Sequence, residues 1–89
     1  MSCVRCIISG HVQGVWFRET TRQKAALLGL TGSAMNLPNG DVEVIACGDA
    51  QVLQELQAWL WRGSSTSQVS DVRCESLQPD VLPDAFVTG

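Results

Sequence analysis

The sequence predicts an α+β domain with the element order β-α-β-β-α-β, and three observations carry that reading. Residues 3–9, 41–47 and 68–75 alternate or half-alternate apolar and polar side chains, the period of a half-buried strand. Residues 17–28 and the stretch that follows Asp49 place their apolar residues at helical spacing instead. Glycine, proline or a polar run punctuates the joins between them. Two helices inserted in this way between four strands make a split βαβ plait, a ferredoxin-like arrangement with both helices on one face of an antiparallel sheet.

Each element has its own warrant. In the first strand Val4, Cys6 and Ile8 share one face, and Cys3, Arg5, Ile7 and Ser9 the other. In the first helix Phe17, Thr21, Ala25 and Leu28 form the apolar stripe, Glu19, Arg22 and Gln23 lie off it, and Gly29 is placed to cap it. Residues 30–37 make a short, weakly alternating second strand. Pro38-Asn39-Gly40 then turns the chain tightly into the third. Asp49 is an N-cap for the second helix, whose stripe is Val52, Leu53, Leu56, Trp59 and Leu60, and Gly63 ends it. Residues 64–67 are a polar linker. Pro79 and Pro83 bracket a loop before a short apolar tail, Ala85-Phe86-Val87. Of the tryptophans, Trp16 is expected to anchor a loop, Trp59 to enter the core and Trp61 to sit partly exposed.

Bulk properties narrow the class. With 89 residues, 45% hydrophobic and 17% charged, the chain can build one core, and it is read as a single domain over residues 1–89. No apolar run is long enough to span a bilayer, and no signal-peptide layout opens the chain, so a cytoplasmic monomer without a membrane partner is expected. A net charge of −3 argues against general nucleic-acid binding, although His11, Arg18, Arg22 and Lys24 form one basic neighbourhood.

The stretch with chemical content joins the first strand to the first helix: Gly10-His11-Val12-Gln13-Gly14-Val15-Trp16-Phe17-Arg18. Glycines four apart permit a tight turn, and such a loop can aim several N–H groups at one point, at the positive end of a helix. Arg18 adds a planar fork of donors suited to a phosphoryl group. The physical reading is an anion cradle. Right-handed crossovers put strand one beside strand three, with strands one and two parallel. The end of strand two, Asn36, therefore lies at the same edge as the cradle.

This block, followed by Gly32-Ser33-Ala34-Met35-Asn36-Leu37-Pro38-Asn39-Gly40-Asp41-Val42-Glu43, closely resembles the two signatures of the acylphosphatase family, in order and at the family's separation. The resemblance implies hydrolysis of the mixed anhydride between a carboxylate and phosphate. It implies that Arg18 binds the phosphoryl group, with the loop amides of Gln13, Gly14, Val15, Trp16 and Phe17 completing the cradle, and that Asn36 orients the attacking water. An activated acyl phosphate with a carboxylate leaving group needs neither a covalent nucleophile nor an acid, so positioning and charge stabilisation suffice, with no cofactor and no metal. His11 is read as a solvent-facing loop residue. Ser33 and Met35 stand where family members often carry an aromatic and a basic residue, which leaves less positive charge and less packing around Asn36.

Two rival readings use the same fold. One is a non-catalytic module that binds a phosphate ligand; the presence of both Arg18 and Asn36 weighs against it. The other is a soft-metal carrier, suggested by the M-x-C-x-x-C pattern of residues 1–6. Cys3 and Cys6 begin a strand, however, and point to opposite faces instead of converging in a loop. An RNA-binding plait would need exposed aromatics on its central strands, and there are none.

The four cysteines, at 3, 6, 47 and 74, are expected to be free thiols in a reducing compartment. One pair is placed to meet nonetheless. If strands one and three pair so that positions sum to fifty, Val4, Cys6 and Ile8 oppose Ala46, Val44 and Val42 on the helix-covered face. Cys3 then opposes Cys47 on the face without helices, at a Cα separation of about 4.5–5.5 Å that a disulfide can bridge.

Overall fold

In a computed structural model describing residues 1–89, the chain opens with β1 (Ser2–His11), an inner strand bonded on both sides. After it come α1 (Phe17–Leu27), β2 (Thr31–Asn36), β3 (Val42–Gly48), α2 (Ala50–Leu60), β4 (Gln68–Leu77) and β5 (Phe86–Thr88). The sheet order is β4-β1-β3-β2-β5, the ferredoxin-like plait with one strand added at its edge. Helix α1 lies over β2 and β5, and α2 over β1, β3 and β4.

The fifth strand qualifies the expectation of an all-antiparallel sheet. The apolar tail pairs parallel to β2, Gly32 with Phe86 and Ala34 with Thr88, so the sheet is mixed at that edge. Phe86 is the reason the tail docks: its half-buried ring packs against the core. The β1–β3 register is the expected one throughout, with Cys3 opposite Cys47, Cys6 opposite Val44 and Ile8 opposite Val42.

That register closes a buried layer. Cys6, Ile8, Ala34, Val42, Val44 and Ala46 from the strands meet Phe17 and Ala25 of α1 and Leu53, Leu56 and Leu60 of α2. Each fully buried Phe, Leu, Ile or Val side chain contributes about 1.5–3 kcal/mol. The opposite face is laced with charge: Arg5 pairs with Glu43 at 2.7 Å and Glu75 at 3.3 Å, and Arg73 with Asp71 and Asp41.

The expectation of free thiols is corrected, because all four cysteines are bonded, Cys3 to Cys47 and Cys6 to Cys74. The physical reason is register. Cys74 of β4 lies directly across from Cys6, as Cys47 lies across from Cys3, and both pairs have Cα atoms 4.0 Å apart. Since Cys3 and Cys6 face opposite ways, β1 is stapled to β3 on one side of the sheet and to β4 on the other. The bonds close loops of 44 and 68 residues, spans at which a cross-link stabilises by about 2–4 kcal/mol.

Candidate active site

Gly10 and Gly14, alike in sequence, do different things. At Gly10 (φ +124°) β1 shifts register against β4, and a Cβ there would collide with the Gln68 carbonyl oxygen, so this glycine permits close strand approach. Gly14 (φ +74°) has open space around it and is required for its backbone angle alone. Together they let the chain leave the sheet and re-enter as a helix within a few residues.

The residue that begins that helix is unusual. Trp16 holds φ 65°, ψ 13°, the left-handed region, and is the one non-glycine residue with positive φ. Such a conformation costs a bulky residue on the order of 1–3 kcal/mol and persists only where neighbours over-determine it. The neighbours are identifiable. The Val15 carbonyl accepts from Ser64 Oγ at 2.9 Å and Thr66 Oγ1 at 2.8 Å, and the Trp16 carbonyl accepts from the Thr20 amide at 2.9 Å and Thr20 Oγ1 at 2.7 Å. The expectation that Trp16 anchors the loop with its indole is therefore corrected. Trp16 is 76% exposed, and the anchoring is done by hydroxyls on the backbone. Trp59 packs half-buried against the core, stacked on Phe17 with centroids 6.3 Å apart, and Trp61 is exposed as expected.

Helix α1 has no side-chain cap, and no backbone N–H from Gln13 to Glu19 donates a hydrogen bond within the chain. Beside them is a pocket of roughly 290 Å³ lined by Val12, Gly14, Trp16, Phe17, Arg18, Glu19 and Thr88 of β5; Gln13 and Val15 do not line it. Arg18 is half-buried there and enters no ion pair, whereas the other acidic and basic groups of this helix turn are committed. Glu19, the one carboxylate lining the pocket, is gripped by Arg22 through two bonds of 2.7 and 2.6 Å, and by Gln23. The Arg22 guanidinium holds the Glu19 carboxyl down at about 2, so its charge is present, and neutralised, at neutral pH. The pocket thus offers amide donors and one uncommitted cation, the chemistry of an anion site.

Asn36, the last residue of β2, lies opposite Val42, as does Ile8 of β1. The two are level across β3, about 10 Å apart by strand spacing. Asn36 is at the expected edge, exposed, and is not among the residues lining the Arg18 pocket. What ties the two regions together is the Gln13 side chain, whose Nε2 donates to the Leu37 and Asp41 carbonyls at 2.8 Å each. The cradle loop is thereby fixed to the turn that follows Asn36. His11 is exposed at the end of β1, as expected of a solvent-facing residue. Met35, one of the two departures from the family pattern, is partly exposed, and its sulfur lies against Gly89.

Sequence reading missed Ser64, Thr66 and Thr88 as neighbours of this loop. Topology contained the signal for two of them: β4 runs antiparallel beside β1, so the segment that leads into β4 must lie against the loop that leaves β1. Nothing in the tail Ala85-Phe86-Val87 pointed to Thr88, because a three-residue strand has too short a period to register.

The comparisons with known proteins agree on one family over nearly the whole chain. The family model described as Acylphosphatase matches residues 4–88. The chain is 49% identical to an acylphosphatase of Nitrosococcus oceani over 78 residues, 88% of each chain. It is 46% identical to one of Xanthomonas euvesicatoria over the full length of both. Among solved structures it superposes on an acylphosphatase from Coxiella burnetii with a TM-score of 0.92 at 41% identity, covering 99% of this chain and 92% of that one. The acylphosphatase from Bacillus subtilis gives 0.94 at 30% identity, covering 100% and 99%. With the family model matched over residues 4–88 and a relative matched end to end at 46% identity, this chain belongs to the acylphosphatase family.

Proposed function

We propose that the chain, acting as one domain over residues 1–89, hydrolyses the carboxyl–phosphate bond of small acyl phosphates by direct attack of a positioned water. The phosphoryl oxygens take the amides of Gln13, Gly14, Val15, Trp16 and Phe17 and the Arg18 guanidinium; Asn36 orients the water. The water oxygen bonds to phosphorus as the bond from phosphorus to the acyl oxygen breaks. The carboxylate leaves as an anion, and the water's protons pass to the phosphate and to solvent. Because a carboxylate leaves without protonation, the reaction needs no general acid and is drawn without a metal. The cradle offsets the charge that builds on the equatorial oxygens, the effect that contributes most in such sites.

One observation carries this reading: a helix N-terminus whose amides are all unpaired, beside an arginine with no ion pair. Phosphate release from acetyl phosphate and benzoyl phosphate tests it. Turnover of both, undiminished by EDTA and with little action on p-nitrophenyl phosphate, is expected. Binding of inorganic phosphate without turnover would favour the non-catalytic module instead. The same reading has the enzyme act as a cytoplasmic monomer on a small molecule, without nucleic acid or membrane. A reducing compartment would open the two disulfides and leave their thiols adjacent, which mass spectrometry of alkylated protein would report.

A further inference from the structure

Two hydroxyls from a distant segment hold one carbonyl of the cradle. Ser64, 6% exposed, and Thr66, exposed, both donate to Val15 O, across 49 and 51 residues of sequence. Ser64 is held in turn, since its carbonyl accepts both the amide and the hydroxyl of Ser67. Neither Ser64 nor Thr66 lines the Arg18 pocket, whereas Trp16, Phe17 and Arg18 do. The Val15–Trp16 peptide is trans, so its N–H points opposite to its C=O. Fixing the carbonyl on the outer side therefore turns the Trp16 N–H away from the clamp, toward the side on which the pocket lies. Without the clamp, the strained φ of Trp16 would favour rotation of this peptide, which would aim a carbonyl instead of a donor at a bound anion.

We propose that Ser64 and Thr66 are positioning residues that lock the Val15–Trp16 peptide in the orientation that donates to the phosphoryl group. The inference rests on the cradle reading above. A loosely held donor has to reorganise as charge develops, whereas a clamped one does not, and this difference is what preorganisation means for rate.

The test uses Thr66→Val, which keeps shape at an exposed position and removes the donor, Ser64→Ala, and the double variant. Thr66→Ser and Ser64→Thr serve as rescues. Inorganic phosphate is the probe, as a competitive inhibitor and as the titrant for the Trp16 amide resonance. The expected result is a kcat/KM loss of about tenfold for Thr66→Val and roughly a hundredfold for the double variant, the scale of losing one preorganised donor. Phosphate Ki should rise in step, the Trp16 amide should lose its phosphate-dependent shift, and both hydroxyl-restoring variants should return toward the parent. A folded double variant with Ki within about twofold of the parent overturns the inference, whatever its melting temperature, since a merely structural role would move stability alone. Should Ser64→Ala fail to fold, Thr66→Val decides alone. Arg18→Ala separates the two levels: if it too leaves phosphate binding unchanged, the cradle reading has failed; if it abolishes binding while the clamp variants do not, only the clamp has.

Discussion

The two helices of this plait are the same length, eleven residues each, and lie on the same face of the sheet, yet they begin in opposite ways. Helix α2 starts from Asp49 in extended backbone, whose carboxylate accepts from the Gln51 and Val52 amides at 2.9 and 3.3 Å. Helix α1 starts from a left-handed tryptophan with no cap, its first amides unpaired. Every helix must find acceptors for its first N–H groups. At α2 the chain supplies them from its own side chain. At α1 the chain supplies none, and a strained residue is held in place by donors from Ser64, Thr66 and Thr20. The start that would be ordinary for stability is withheld at the end where the proposed function places the phosphoryl group.

The largest effect that would sharpen this contrast lies at Arg18. Arg18→Ala should lower turnover of benzoyl phosphate by at least roughly a hundredfold, the usual scale for a preorganised charge-stabilising donor, and weaken inorganic phosphate as an inhibitor. Steady-state kinetics with phosphate as the competitor checks both. A loss in turnover below about tenfold would mean that the open helix end is not the phosphoryl site.

Asn36 comes next. Assigned to water, not to phosphate, Asn36→Ala should depress kcat by roughly tenfold to a hundredfold while the phosphate Ki stays near that of the parent. Equal weakening of phosphate by both variants would merge the two roles and place Asn36 in the cradle.

How legible this was can be argued from particular residues. Asp49 announced its cap because an aspartate ahead of an apolar helical stripe does one local thing. The β1–β3 register followed from alternation, since a slip by one would have set Arg5 and Glu43 into the core. The place of Arg18 in the first turn of α1 was legible because the glycine-rich stretch before it runs straight into an apolar helical stripe. Three features were not. The φ of Trp16 is imposed by hydrogen bonds from residues about fifty positions away, and side-chain type suggested burial instead. The Cys6–Cys74 bond needed the β1–β4 register, whose irregularity between Ser9 and Gly10 no periodicity predicts. Strand β5 is set by the docking of Phe86 beside β2, a tertiary event with three residues of pattern behind it. Local chemistry was readable; what one segment does to another's backbone was not.

At the closed helix end the prediction reverses. Asp49→Ala should cost about 1 kcal/mol of stability, typical for a lost N-cap, and leave kcat and phosphate Ki within about twofold of the parent. Denaturant unfolding and the same kinetic assay decide it. A drop in activity larger than the drop in stability accounts for would show that the two helix ends are coupled, and the contrast drawn from them would fail.

The smallest expected effects sit at Glu19, the one acid in the first turn of α1, where α2 has none. An unneutralised carboxylate lining the pocket would repel a phosphoryl group, and Arg22 removes that penalty by gripping it through two short bonds. The same grip holds the Glu19 carboxyl at about 2 against an ordinary 4.5, chiefly through the hydrogen bonds from Arg22, with burial opposing and Gln23 assisting. A carboxyl depressed on folding contributes stability that is present above its unfolded value and lost as pH falls toward the folded one. The melting temperature of the parent should therefore exceed that of Glu19→Gln by at most a few degrees above pH 5, because the pair is solvent-exposed and screened by salt. That gap should close as pH falls from about 4.5 to about 2. Catalysis separates the partners further. Glu19→Gln removes the charge and should leave phosphate Ki unchanged or slightly tighter, whereas Arg22→Gln exposes it and should raise Ki severalfold at low salt, less at high salt. Equal Ki values for the two variants would mean that the Glu19 charge is not felt in the pocket, and that neutralising it is no part of what keeps this helix end open to an anion.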